Sequence, residues 1–103
     1  MFNASPVCLR LRSQLALIVQ QIRQLDVQRA NYQRWIAEAE RRSQEDPTRA
    51  GPTGQTARLE HYRPILARIE TQRRGLFNEF DQLHLRFQRE CGAEHPLPAD
   101  VHR

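Results

Sequence analysis

Two ladders of apolar residues, each climbing in alternating steps of three and four, limit what this chain can fold into more than any other feature. The first runs Leu11, Leu15, Ile18, Ile22, Leu25, Arg29, Tyr32, Ile36, Ala39. The second runs Leu59, Tyr62, Leu66, Ile69, Arg73, Leu76, Phe80, Leu83, Phe87. A mean step of 3.5 keeps such residues on one stripe of an α-helix, and that stripe must be covered by another helix. Residues 47–56, between the ladders, hold two Pro and two Gly and nothing apolar larger than Ala, the composition of a flexible connector. The expected fold is therefore all-α: an antiparallel, coiled-coil-like two-helix hairpin that assembles into a four-helix bundle.

Local signals set the boundaries. Residues 1–5 form a lead-in. Ser5 followed by Pro6 is a favourable helix start, with Ser as cap and Pro where its missing N–H costs nothing. The first helix is expected over 6–46, because Pro47 cannot continue it and disfavours helical geometry at Asp46. The second is expected over 57–91, with Thr56 as its cap and Gly92 just past its end. Pro64 lies inside this span. Leu59 and Tyr62 keep heptad phase ahead of it, which favours an early start with a kink at Pro64 over a start at the proline. The tail, 93–103, carries two Pro and no periodicity and is expected to be disordered.

Each ladder is interrupted by one arginine. Folding the chain about Gly51 brings Arg29 and Arg73 opposite each other. Each has an acid three residues earlier, Asp26 and Glu70, one helical step away. The four residues read as a polar layer that fixes register, as single polar seam residues do in coiled coils. An anion-binding notch is the functional alternative.

A further apolar set lies off the seams: Leu9, Leu17, Val19, Val27 and Trp35 on the first helix, Ile65, Phe77 and Leu85 on the second. Two helices alone leave many of these in water, so a contact face is expected. The candidate face is Leu9, Leu17, Val27, Tyr32, Trp35, Ile65, Phe77 and Leu85, with Tyr32 and Trp35 as its anchors. Packing near the connector is the plainer account of those two rings. The occupant is expected to be a second copy, making a homodimer, or a protein partner.

All 16 basic residues are Arg, for a net charge of +4. Codon usage in a G/C-rich genome accounts for this simply; selection for bidentate guanidinium contacts is the chemical alternative. The basic balance permits a nucleic-acid partner through Arg41, Arg42, Arg49, Arg58 and Arg63 around the connector. Glu38, Glu40, Glu45, Asp46 and Glu60 are interleaved with them, and no helix-turn-helix pattern is present, so this reading is not favoured.

Cys8 and Cys91 fall at matching heights at the hairpin's open end, with His95 nearby in sequence. Zinc usually takes four such ligands, so no metal site is expected. The longest apolar run near the N-terminus is five residues, Leu15 to Val19, too short for a signal or membrane segment. A cytoplasmic protein without membrane contact is expected, with both cysteines as reduced thiols; a disulfide between them is the geometric alternative, against which that compartment argues. The four histidines are scattered, and no nucleophile elbow, phosphate loop or dinucleotide fingerprint occurs. The functional expectation is a non-enzymatic adaptor or scaffold without cofactors. It self-associates and binds a protein partner through amphipathic helix faces.

Overall fold

The computed structural model describes residues 5–45 and 54–92. It consists of two helices, α1 (Pro6–Glu45, 40 residues) and α2 (Gln55–Cys91, 37 residues), forming an all-α helical hairpin as the ladders require. The lead-in 1–4, most of the connector including Arg49, and the tail 93–103 with His95 lie outside the described residues.

The caps follow local chemistry. Leu9 N–H donates to the Ser5 carbonyl at 3.0 Å, closing the first turn of α1 at the expected residue. α1 is described as far as Glu45, and its expected limit, Asp46, lies outside the described residues. α2 begins two residues earlier than expected. Arg58 N–H donates to the Gly54 carbonyl at 3.4 Å, so Gly54 occupies the cap position and Thr56 lies inside the first turn. Gly92 ends α2 with φ of 59°, the left-handed conformation that favours glycine.

α2 passes through Pro64 without ending. Proline removes one backbone donor and leaves the Glu60 carbonyl without its helical bond. Both residues are exposed, on the side away from the seam, where water can take that bond. The heptad phase of Leu59 and Tyr62 thus runs across the proline.

The described residues divide into two compact units. The terminal unit joins residues 5–24 to residues 74–92. Its core is Cys8, Leu11, Leu15, Ile18, Val19, Ile22, Phe80, Phe87 and Cys91, with Ala16, Leu76, Phe77 and Leu83 packed against it. Leu15 is fully buried. Val19, expected off the seam, is 3% exposed. It follows a seam position, Ile18, and so does Phe77 after Leu76. The two lie on corresponding flanks of their helices and widen the stripe beyond a strict ladder.

The inner unit joins 25–45 to 54–73, and its core is smaller: Ile36, Ala39 and Leu59, with Tyr62 and Leu66 against them. Ile69 is buried as well. Leu25, Arg29, Tyr32 and Arg73 on the ladders are only half-buried.

Cys8 and Cys91 are joined by a disulfide across 83 positions, with their Cα atoms 5.8 Å apart. This corrects the expectation of two reduced thiols. That expectation rested on compartment, whereas position carries the pairing. Cys8 lies three residues before Leu11 and Cys91 four after Phe87, so each extends its ladder by one step. Facing residues that far along both seams place their Cα atoms within disulfide range. Closing a loop of this length removes chain entropy from the unfolded state worth about 4–5 kcal/mol. Two helices bury little apolar area between them, so that is a large share of any net stability. Thermal melts followed by circular dichroism should therefore show a midpoint lower by roughly 10 °C or more for the reduced chain, or for Cys8→Ser with Cys91→Ser. An unchanged midpoint would show that apolar packing alone closes the terminal unit.

Candidate functional site

The charged layer belongs to the inner unit, and its pairing is crossed. Arg73 Nε donates to Asp26 Oδ1 at 2.5 Å, and Arg29 Nε lies 3.6 Å from Glu70 Oε1. Each arginine therefore meets the acid of the opposite helix, not the acid three residues before it on its own. The register differs accordingly from a fold centred on Gly51. Arg29 stands opposite Glu70, and Arg73 opposite Asp26. The two arginines are thus offset by about three residues, or ~4.5 Å along the helix axes. The cause is electrostatic: two guanidiniums at one height repel, whereas a shift of nearly a turn gives each an opposite charge.

This layer is not a buried charge cluster. The side chains of Arg73 and Asp26 are 31% and 44% exposed, those of Arg29 and Glu70 37% and 41%. Arg29 Nε is enclosed and has no hydrogen-bond partner. Partial solvation keeps the desolvation cost low and makes each pair worth little individually. A slip of about three residues would return the arginines to each other.

Three aromatic rings meet in the same unit. Tyr32 and Trp35 contact edge to face, centroids 5.0 Å apart. Tyr62 lies 5.8 Å from each of them, and His61 flanks Tyr62 at 5.6 Å. Both tyrosines are ladder residues and are half-buried, while Trp35, just off the seam, is 38% exposed. Core packing and surface presentation are combined here, with the tyrosines supporting the tryptophan. Beside the rings is a notch of about 70 Å³ lined by Trp35, Glu38, Ala39, Arg42, Gln55, Arg58 and Tyr62. That is room for about two waters, well short of the several hundred Å³ of small-molecule sites. Gln55 Oε1, buried against this notch, has no hydrogen-bond partner.

The arginines assigned to nucleic acid are mostly occupied. Arg41 pairs with Glu45 at 2.9 Å, Arg42 with Glu38 at 2.7 Å, and Arg63 reaches across to Glu40 at 3.0 Å. Arg58, exposed, has no such pair among the described residues. Acids interleaved in the sequence are therefore interleaved in space, and this surface is a set of neutral pairs, not a basic stripe.

The expected apolar face divides between the units. Leu9, Leu17, Phe77 and Leu85 belong to the terminal unit; Val27, Tyr32, Trp35 and Ile65 belong to the inner one. Leu9, Leu17, Val27 and Leu85 are between 46% and 63% exposed. Phe77 is half-buried against the terminal core, and Ile65 is half-buried too. On α1 the exposed members do not line up. Leu9 and Leu17, eight residues apart, are separated by ~80° around the helix, and so are Val27 and Trp35. What forms instead in the terminal unit is an open groove between the helices, about 660 Å³, with Leu17, Ile18 and Leu83 among its lining.

Among the described residues, no three His, Cys, Asp or Glu side chains converge as metal ligands, and no helix is long and apolar enough to cross a membrane. No family model, curated protein or solved structure matches the chain.

A double-mutant cycle on Asp26→Ala and Arg73→Ala checks the crossed layer. The coupling energy should be about 0.5–1 kcal/mol, as for a partly solvated ion pair. Exchanging the two residues, Asp26→Arg with Arg73→Asp, should recover most of it. Zero coupling, with each single change neutral, would remove the layer's role in register.

Proposed function

We propose that this protein is a non-enzymatic helical adaptor. It self-associates, two hairpins packing into a four-helix bundle, and it binds a protein partner through its helix faces. The observation that carries the reading is the cluster of Tyr32, Trp35 and Tyr62 beside Arg58. Tryptophan, tyrosine and arginine are the residues in which binding energy concentrates at protein interfaces. Here the tryptophan is presented by two supporting rings, so little conformational entropy remains to be lost on binding. The shallow notch beside it suits one inserted side chain from a partner better than a small-molecule substrate.

Nucleic acid is the weaker reading. A phosphate backbone would have to compete with Glu45, Glu38 and Glu40 for Arg41, Arg42 and Arg63, and the same acids would repel it. Among the described candidate arginines, Arg58 supports this reading without that cost.

The working form in this proposal is the oxidised one, with Cys8 and Cys91 joined. Strongly reducing compartments keep thiols free. The proposal therefore departs from the cytoplasmic placement suggested by sequence and assigns the protein to a compartment that tolerates disulfides.

Affinity capture from native extract should retain a discrete protein on the wild-type chain. Trp35→Ala should lower its recovery at least ~10-fold while helix content by circular dichroism is unchanged. In parallel, fluorescence anisotropy with random-sequence DNA at low salt should show no binding. Binding that falls steeply with salt, together with capture indifferent to Trp35, would reverse the ranking.

A further inference from the structure

We propose that the groove of the terminal unit is the self-association face and that its occupant is the same groove of a second copy. This rests on the self-association reading above and gives it a location and a symmetry. The groove runs along one flank of both helices and includes Leu17 and Leu83 at its middle, Gln14 and Gln21 on α1, and Glu79 and Arg89 toward its two ends on α2. The opposite flank of this unit is filled by Val19 and Phe77. The unit is therefore closed on one side and open on the other.

Charge complementarity identifies the occupant. Glu79 and Arg89 are exposed and have no ion pair among the described residues, whereas neighbouring Arg86 is paired with Glu90 at 3.2 Å. The two free charges are opposite in sign and ten residues apart on one helix, ~15 Å along its axis. A two-fold axis lying across both helices, near the level of Leu83, reverses the direction of α2 in the second copy. Glu79 of each copy then faces Arg89 of the other, and both charges are satisfied twice over. The cysteine pairing sets the levels within the unit. With Cys8 opposite Cys91, Leu17 stands beside Gln82 and Leu83, close to that axis. The same operation thus brings Leu17, 55% exposed and standing between the groove and a second depression on α1, against its own image at the centre. An apolar centre with amides and charges around it is the usual composition of a protein interface. One groove carrying both signs suits a copy of itself better than an acidic or a basic partner, which would satisfy one charge and oppose the other.

The test is a charge reversal on the full-length oxidised chain, with mass measured by sedimentation or light scattering. The wild type should associate to twice 12.1 kDa. Glu79→Arg or Arg89→Glu alone places like charges together at two points of the dimer and should weaken it by roughly 10-fold or more. The double variant, Glu79→Arg with Arg89→Glu, restores opposite charges and should return the dimer to near wild-type strength. Leu17→Glu should abolish association. All three positions of change are exposed, and circular dichroism should show every variant folded. A dimer indifferent to the charge reversals overturns the face while leaving self-association intact. Single variants that weaken the dimer without rescue by the double overturn the two-fold arrangement. A wild type that stays monomeric at hundreds of micromolar overturns both this proposal and self-association, leaving only partner binding.

Discussion

The bond between Cys8 and Cys91 is the constraint on which the terminal unit depends. Two helices have one mutual surface, and each seam residue is covered from a single direction. Such a pair lacks the enclosing layers that make larger cores insensitive to the loss of any one contact. Joining the chain across 83 positions shifts the balance from the unfolded side, by limiting how far the helices can separate. The adjoining core residues, Leu11, Phe87 and Leu15, then pack between helices already held at a short distance. The inner unit has no covalent tie of its own among the described residues. Its core is a cluster of three buried residues with Ile69 buried besides, supplemented by crossed ion pairs and an aromatic cluster. Directional interactions replace apolar area there, which is why its polar groups are placed with more regularity than its apolar ones.

Much of this was legible because the heptad period is a property of the chain itself. The ladders located the hairpin and nearly all of the buried residues. Ser5 with Pro6 and Gly92 located two of the helix ends, since caps depend on a few adjacent residues. The first failure concerned quantities set between helices. A fold about the midpoint of the connector sets the arginines opposite each other, whereas opposite charges meet only in a register shifted away from that midpoint. Val19 was placed outside the seam because a strict ladder ignores its flanks; an antiparallel pair can bury one flank. The second failure concerned the cysteines. Their continuity with both ladders was a signal in the sequence itself, and an argument from compartment overrode it.

The candidate sites were less legible than the fold. Trp35 and Tyr32 could be nominated as anchors from residue type, but the role of Tyr62 as the third ring depends on its position across the seam. The arginines around the connector looked available because a count of basic residues does not show which acids reach them. Once Glu38, Glu40 and Glu45 take their partners, net charge loses its value as a guide to what binds there. Free charges carry more information about a partner than total charge does. Beside the notch of the inner unit that leaves Arg58, and in the terminal unit's groove Glu79 and Arg89.

The asymmetry of the terminal unit connects its stability to its proposed association. Position along the seam decides which flank is filled. Residues directly following the seam, Val19 after Ile18 and Phe77 after Leu76, face one another across the antiparallel pair and close that side. Residues preceding the next seam position, Gln14, Gln21 and Glu79, face one another on the other side and are too polar to close it. If the sequence had placed apolar residues on both flanks, the hairpin would expose a broad sticky surface around its whole girth whenever it was alone. With amides on the open flank, the single hairpin remains tolerable to water, while Leu17 and Leu83 between them still gain from being covered. A groove of that composition binds weakly through area alone. Selectivity must then come from polar complementarity, because a wrong partner leaves Glu79 or Arg89 desolvated without a counter-charge. The same polar flank that weakens the hairpin's own closure is thus what restricts which second surface can complete it.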